Sequence, residues 1–298
     1  MPRRVVITGT GVISALADSS QGLHNALCQG RNGWGSIERF DTEEIACQLG
    51  GEIKDFSPNT YLGNKNFRPL DRISQLSASA AQQALSNSGW SEQMREKAEV
   101  GLVLGTMFSS VHTIAEFDRR AITLGPRAVK PLDFANTVIN AASGQTAIWH
   151  NLRGINSTVA NGIASGLQAL CYAADLIRCG QSTALLAGGA EELAFEAVYG
   201  FSRAGLLPPK DEPHPIPFDA RRNGFIPSEG AAFLMLEEAE AARVRGASVL
   251  AEIRGYSTAF NSPRKKTDQT ATIKRALQGA LTDAELPADS IQVISASA

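Results

Sequence analysis

Gly154-Ile155-Asn156-Ser157-Thr158-Val159-Ala160-Asn161-Gly162-Ile163-Ala164-Ser165-Gly166-Leu167-Gln168-Ala169 is the stretch from which the fold can be read. Its first part is rich in β-branched residues and reads as a strand. Glycines at 162 and 166 then mark a turn, and beyond it Leu167, Leu170, Cys171, Ala174 and Ile177 fall close to i, i+3, i+4, i+7 spacing. Gly180 follows as a C-terminal stop. A strand, a turn and an apolar helix in direct succession present the turn residue to a helix N-terminus. That position suits a nucleophile, because the helix dipole lowers its pKa.

Outward from this stretch the same alternation repeats. Strands are predicted over 4–8, 100–104, 156–159, 183–187, 231–236, 251–256 and 291–295, and helices over 20–29, 71–88, 111–123, 165–179 and 269–284. Short β-branched runs between longer helices indicate an α/β protein with a largely buried sheet. The 298 residues suffice for one large or two ordinary domains, and 43% hydrophobic content supplies a core. No Ser/Gly- or Pro-rich linker divides the chain, and the Pro-rich segment 207–215 reads as an exposed turn.

Composition excludes several classes. Lys and Arg number 28 against 30 Asp and Glu, so the basic surplus of a nucleic-acid binder is missing. No run approaches eighteen apolar residues, which predicts no membrane span. Met1-Pro2-Arg3-Arg4 leads straight into a strand pattern, unlike a secretory signal. Cys28, Cys47, Cys171 and Cys179 form no CxxC pair, and the four histidines are scattered, so neither a disulfide framework nor a metal site is expected. A cytoplasmic protein is the expectation.

Two motifs invite chemistry and give weak signals. Thr8-Gly9-Thr10-Gly11-Val12-Ile13-Ser14 imitates a dinucleotide fingerprint but lacks the third glycine, and no helix opens until about Ser20. A tight turn at the strand end is expected there instead. Glu191-Glu192 follows the Gly-rich end of another strand. Paired carboxylates can do acid–base work, while local capping or salt bridging is the structural alternative. No Gly-x-Ser-x-Gly elbow occurs.

Four segments in order carry a resemblance: 4–11, 152–154, 187–192 and, most specifically, Phe218-Asp219-Ala220-Arg221-Arg222-Asn223-Gly224-Phe225-Ile226-Pro227-Ser228-Glu229-Gly230-Ala231-Ala232. Together the chain resembles a β-ketoacyl synthase of the elongating type. The resemblance implies a thiolase-like layered αβαβα fold, with residues 1–255 as the N-terminal half and 256–298 as the start of a C-terminal half largely absent from this chain. A cleaved protein, a split gene or a partial sequence would each explain that, and a separate C-terminal fragment of the same fold would then be a partner.

The departures from the family pattern carry the functional expectation. Active members hold the acyl chain on a cysteine where this chain has Ile163, and Ser297 stands in the place of the first catalytic histidine. Within the family this pattern resembles the chain-length factor, the β subunit of a type II polyketide ketosynthase. That implies an inactive subunit paired with an active ketosynthase, with substrates delivered on the phosphopantetheine arm of an acyl carrier protein and no cofactor of its own. By resemblance, Phe108, Val111, Ile114 and Phe117 line the end of the partner's acyl tunnel. Lys65, Arg68 and Arg72 would meet the carrier protein, and strand 156–159 with segment 134–143 would form the dimer interface. Two alternatives stay open: an active synthase using Ser165, and a malonyl-decarboxylating subunit, to which Ile163 offers no hydrogen bond for an enolate.

Overall fold

The computed structural model describes residues 3–45, 47–64, 66–213, 215–260 and 269–296. In chain order it contains β1 (Val5–Ser14), α1 (Ser20–Cys28), the two-residue strands β2 (Gly35–Ser36) and β3 (Leu49–Gly50), α2 (Asn59–Leu62), α3 (Arg72–Asn87) and α4 (Glu92–Ala98). Then come β4 (Gly101–Gly105), α5 (Val111–Leu124), α6 (Pro131–Phe134), α7 (Ala141–His150), β5 (Asn156–Val159) and α8 (Ser165–Arg178). The rest is β6 (Ala184–Glu191), α9 (Phe195–Arg203), β7 (Gly230–Glu238), α10 (Ala239–Arg245), β8 (Ala251–Ile253) and α11 (Thr270–Ala284).

Six strands form one mixed sheet in the order β5-β4-β6-β7-β1-β8. β5, β4 and β6 are parallel, whereas β7, β1 and β8 join antiparallel. Alternation along the central strands sends side chains to two cores. Leu102, Leu104, Leu186, Phe233 and Met235 face α3 and α7; Val103, Leu185, Ala187 and Leu236 face α8. The sheet is therefore buried between helices on both faces, as parallel strands require. Among the described residues no helix is long and apolar enough to cross a membrane.

β1 corrects one expectation. The glycines at 9 and 11 do not turn; the strand continues through them to Ser14, with an irregularity between Ile7 and Gly9. They serve close packing: a Cβ at Gly9 would lie 2.4 Å from the Ala84 carbonyl oxygen, and one at Gly11 2.0 Å from that of Ala80. Glycine thus lets α3 settle directly on the strand. The helix begins where Asp71 accepts a hydrogen bond from the Ser74 N–H at 3.1 Å.

Two further expectations shift. The buried face of α8 is made by Ser165, Ala169, Ala173, Ala174 and Ile177, while Leu167 is exposed and Cys171 half-buried. Small side chains there bring the helix close to β4 and β6. Strand pairing ends at Ile253 rather than at 256, and residues 291–295 form no strand. Backbone donors and acceptors need a neighbouring strand to form a ladder, and among the described residues 291–295 have none.

Candidate functional site

The turn between β5 and α8 is held by its own backbone and by one serine. Gly162 takes φ +66°, a conformation glycine adopts without strain. The Ser165 hydroxyl donates to the Gly162 carbonyl at 2.6 Å and accepts from the Asn161 N–H at 2.8 Å. Both hydrogen-bonding roles of that buried hydroxyl are used within the turn. Glycines on the neighbouring strand ends seat the turn against the sheet: a Cβ at Gly105 would lie 2.2 Å from the Ser165 carbonyl oxygen. Ile163 projects from the tip and is 93% exposed. Its sec-butyl group has no ionisable atom. Cys171 does not line the space below, and burial pushes its thiol above the usual range.

Beneath the tip opens a cavity of about 530 Å³. Phe108 lines it, with Phe201 at 5.5 Å and Phe225 5.0 Å beyond Phe201, each pair edge to face. Three carboxyl-bearing residues share the wall, Glu191, Glu192 and Glu229. Glu191 accepts from Thr106 Oγ1 at 3.1 Å and from the N–H groups of Met107 at 2.6 Å and Phe108 at 3.0 Å. Burial raises its pKa, and those donors act against the rise. It caps the turn that carries Phe108, which is the local role the sequence offered as the alternative to acid–base work.

Glu192 is 6% exposed and accepts from the His112 N–H at 3.3 Å, at the start of α5. Burial, followed by the charge of Asp71, pushes its pKa up to about 8. Glu229 accepts from Arg72 Nη2 at 2.7 Å and Nε at 3.2 Å, and from the N–H groups of Ile53 at 2.9 Å and Leu193 at 3.4 Å.

That ion pair decides how Arg72 is placed. Its guanidinium points inward, onto Glu229 and the Ile53 carbonyl and over the Phe56 ring, whereas Arg68 is exposed. Arg72 is thus paired with a buried carboxylate, a bond that Arg68 does not share. Lys65 and Ser297 lie outside the described residues. Of the four expected tunnel residues, Phe108 reaches this cavity. Val111, Ile114 and Phe117 lie half-buried on α5, none of whose residues is buried. The Phe117 ring packs 6.0 Å from that of the exposed Phe134. Glu229 is the site residue that sequence reasoning missed, although it sat inside a quoted motif; Glu192 was named as half of a carboxylate pair, and no sequence signal distinguishes it from its neighbour Glu191.

Residues 2–242 match the family model described as "Beta-ketoacyl synthase, N-terminal domain". The chain belongs to the beta-ketoacyl synthase family. It is 31% identical to "3-oxoacyl-[acyl-carrier-protein] synthase 2" of Vibrio cholerae, over 99% of this chain and 72% of the relative. The solved structure of "The ishigamide ketosynthase/chain length factor" superimposes with a TM-score of 0.88 at 31% identity, covering 98% of this chain and 72% of that one. A type II PKS acyl-carrier protein in complex with its ketosynthase bound to the hexaketide gives a TM-score of 0.82 at 25% identity, with 98% and 72% covered. The central sheet between helices is that of the thiolase-like ketosynthases. Beta-ketoacyl synthases take their substrates from the phosphopantetheine arm of an acyl carrier protein.

Proposed function

We propose that the chain is a catalytically silent, chain-length-factor-like subunit that pairs with an active ketosynthase in a type II polyketide system. The observation that carries this reading is Ile163 at the tip of the strand–turn–helix, with the nearby Ser165 hydroxyl committed on both sides to bracing the turn. Likeness to a ketosynthase/chain length factor supports it. Residues 1–255 form the N-terminal ketosynthase half and 256–298 open the C-terminal half.

The surface supports pairing. Among the described residues β5 pairs with β4 alone and α7 packs beside it; Ile148 on α7 is exposed, as are Leu132, Phe134, Val138 and Ile139 in the segment leading to α7. A second ketosynthase-fold chain covering this face takes up both the edge donors and the apolar area. α5 then offers Val111, Ile114 and Phe117 to the partner's acyl tunnel, Phe108 stands just behind them, and Arg68 with Lys65 meets the acidic carrier protein. Co-expression with an active ketosynthase is expected to give a 1:1 complex by native mass spectrometry, and polyketide only when both chains are present. Full product formation by the ketosynthase alone overturns the reading.

A further inference from the structure

Counting hydrogen-bond donors separates the three carboxyl groups of the cavity wall. Glu191 has three donors from the turn above it, and Glu229 has Arg72 and two backbone N–H groups. Glu192 has the His112 N–H alone among the described residues. It stands where the main cavity meets a side pocket of about 50 Å³ formed with Arg39, Phe40 and His112. Around it lie the charges of Asp71 and Glu191, with Arg39 opposing them.

Burial and those neighbours keep Glu192 protonated at neutral pH, with a pKa of about 8. A protonated carboxyl has an O–H to donate, and leaving such a donor unused in an apolar wall is unfavourable. The rest of the cavity gives an occupant mostly apolar contact, from Phe108, Ile163, Val198 and Phe201. We infer that the cavity reversibly binds an extended acyl chain bearing a keto oxygen, which accepts the Glu192 O–H, in preference to a plain hydrocarbon chain. Ile163 forms no covalent bond to such a chain, so binding is an equilibrium that leaves the chain unchanged. The inference rests on the reading of this subunit as part of a polyketide-forming complex, since that complex supplies oxygenated chains.

Titration calorimetry on the full chain, or on its complex with the ketosynthase, tests it with N-acetylcysteamine thioesters as probes: decanoyl, and 3-, 5- and 7-oxodecanoyl. At least one oxo isomer is expected to bind about tenfold more tightly than the decanoyl thioester. Glu192→Gln keeps a donor and is expected to keep most of that preference, while Glu192→Leu, of similar bulk, removes it. Circular dichroism and a melting curve establish that both variants are folded. Equal binding of all four probes by the native protein, as when water satisfies Glu192, overturns the inference and leaves the subunit reading standing. A preference that survives in Glu192→Leu overturns the inference as well. Failure of every thioester to bind overturns the inference alone, since the subunit reading places the acyl chain in the partner's tunnel.

Discussion

Ser165 shows how one hydroxyl can resemble a nucleophile in sequence and be a strut in space. Its two hydrogen bonds hold the tip of the turn, so Ser165→Ala is expected to cost about 1–3 kcal/mol in denaturant unfolding without changing acylation. Arg72 and Arg68 look equivalent in sequence and separate in the same way. Arg72→Leu strands the buried Glu229 carboxylate and is expected to cost roughly 3–5 kcal/mol, whereas Arg68→Ala stays within about 0.5 kcal/mol. Urea titration of both variants checks the contrast. Glu192 gives a pH dependence of known sign. Its carboxyl moves from an ordinary value of 4.5 to about 8 in the folded chain, with burial first and then Asp71 and Glu191 raising it, and the His112 N–H and Arg39 lowering it. The folded state therefore keeps a proton that the unfolded state releases. This contribution is fully present below about pH 4.5 and is lost as pH rises through about 8. Melting curves between pH 5 and 9 are expected to show a decline that Glu192→Gln flattens. None of these roles was legible in the sequence, because each depends on which of two similar side chains meets a buried partner.

At the scale of elements the sequence speaks more clearly. The five helices expected from periodicity all form, within a residue or two at their ends, because each has a cap, glycine or apolar stripe that fixes it. Misreadings occur where tertiary packing changes the meaning of a residue. Gly9 and Gly11 read as a turn, yet they are the places where α3 touches β1. Gly11→Ala is accordingly expected to cost about 3 kcal/mol or more, since its methyl group meets the Ala80 backbone rather than a movable side chain. α5 differs: by resemblance Val111, Ile114 and Phe117 line a partner's tunnel, and the helix buries none of them within this chain. On the proposed function their partner is the neighbouring subunit's acyl chain. Phe117→Ala is expected to shift product toward longer polyketides at retained turnover, read by mass spectrometry of products. Unchanged length with Val111, Ile114 and Phe117 all cut to Ala removes α5 from the stop.

Across the whole molecule, the α/β class and the family are written in several ordered segments, of which 218–232 is the most specific. That segment supplies Glu229 for the Arg72 pair and opens β7, a central strand of the sheet. What could not be read is how the exposed face is divided among partners, because exposed apolar residues such as Phe134 and Ile148 carry no mark of what covers them. The central claim is that Ile163 leaves this chain without an acyl-carrying residue, and intact-mass measurement addresses it directly. The complex of this chain with its ketosynthase is incubated with acetyl- and malonyl-loaded carrier protein, and each chain is weighed. The account predicts acyl mass on the ketosynthase alone. An acyl adduct on this chain, mapped to Ser165, Cys171 or any other residue, contradicts it.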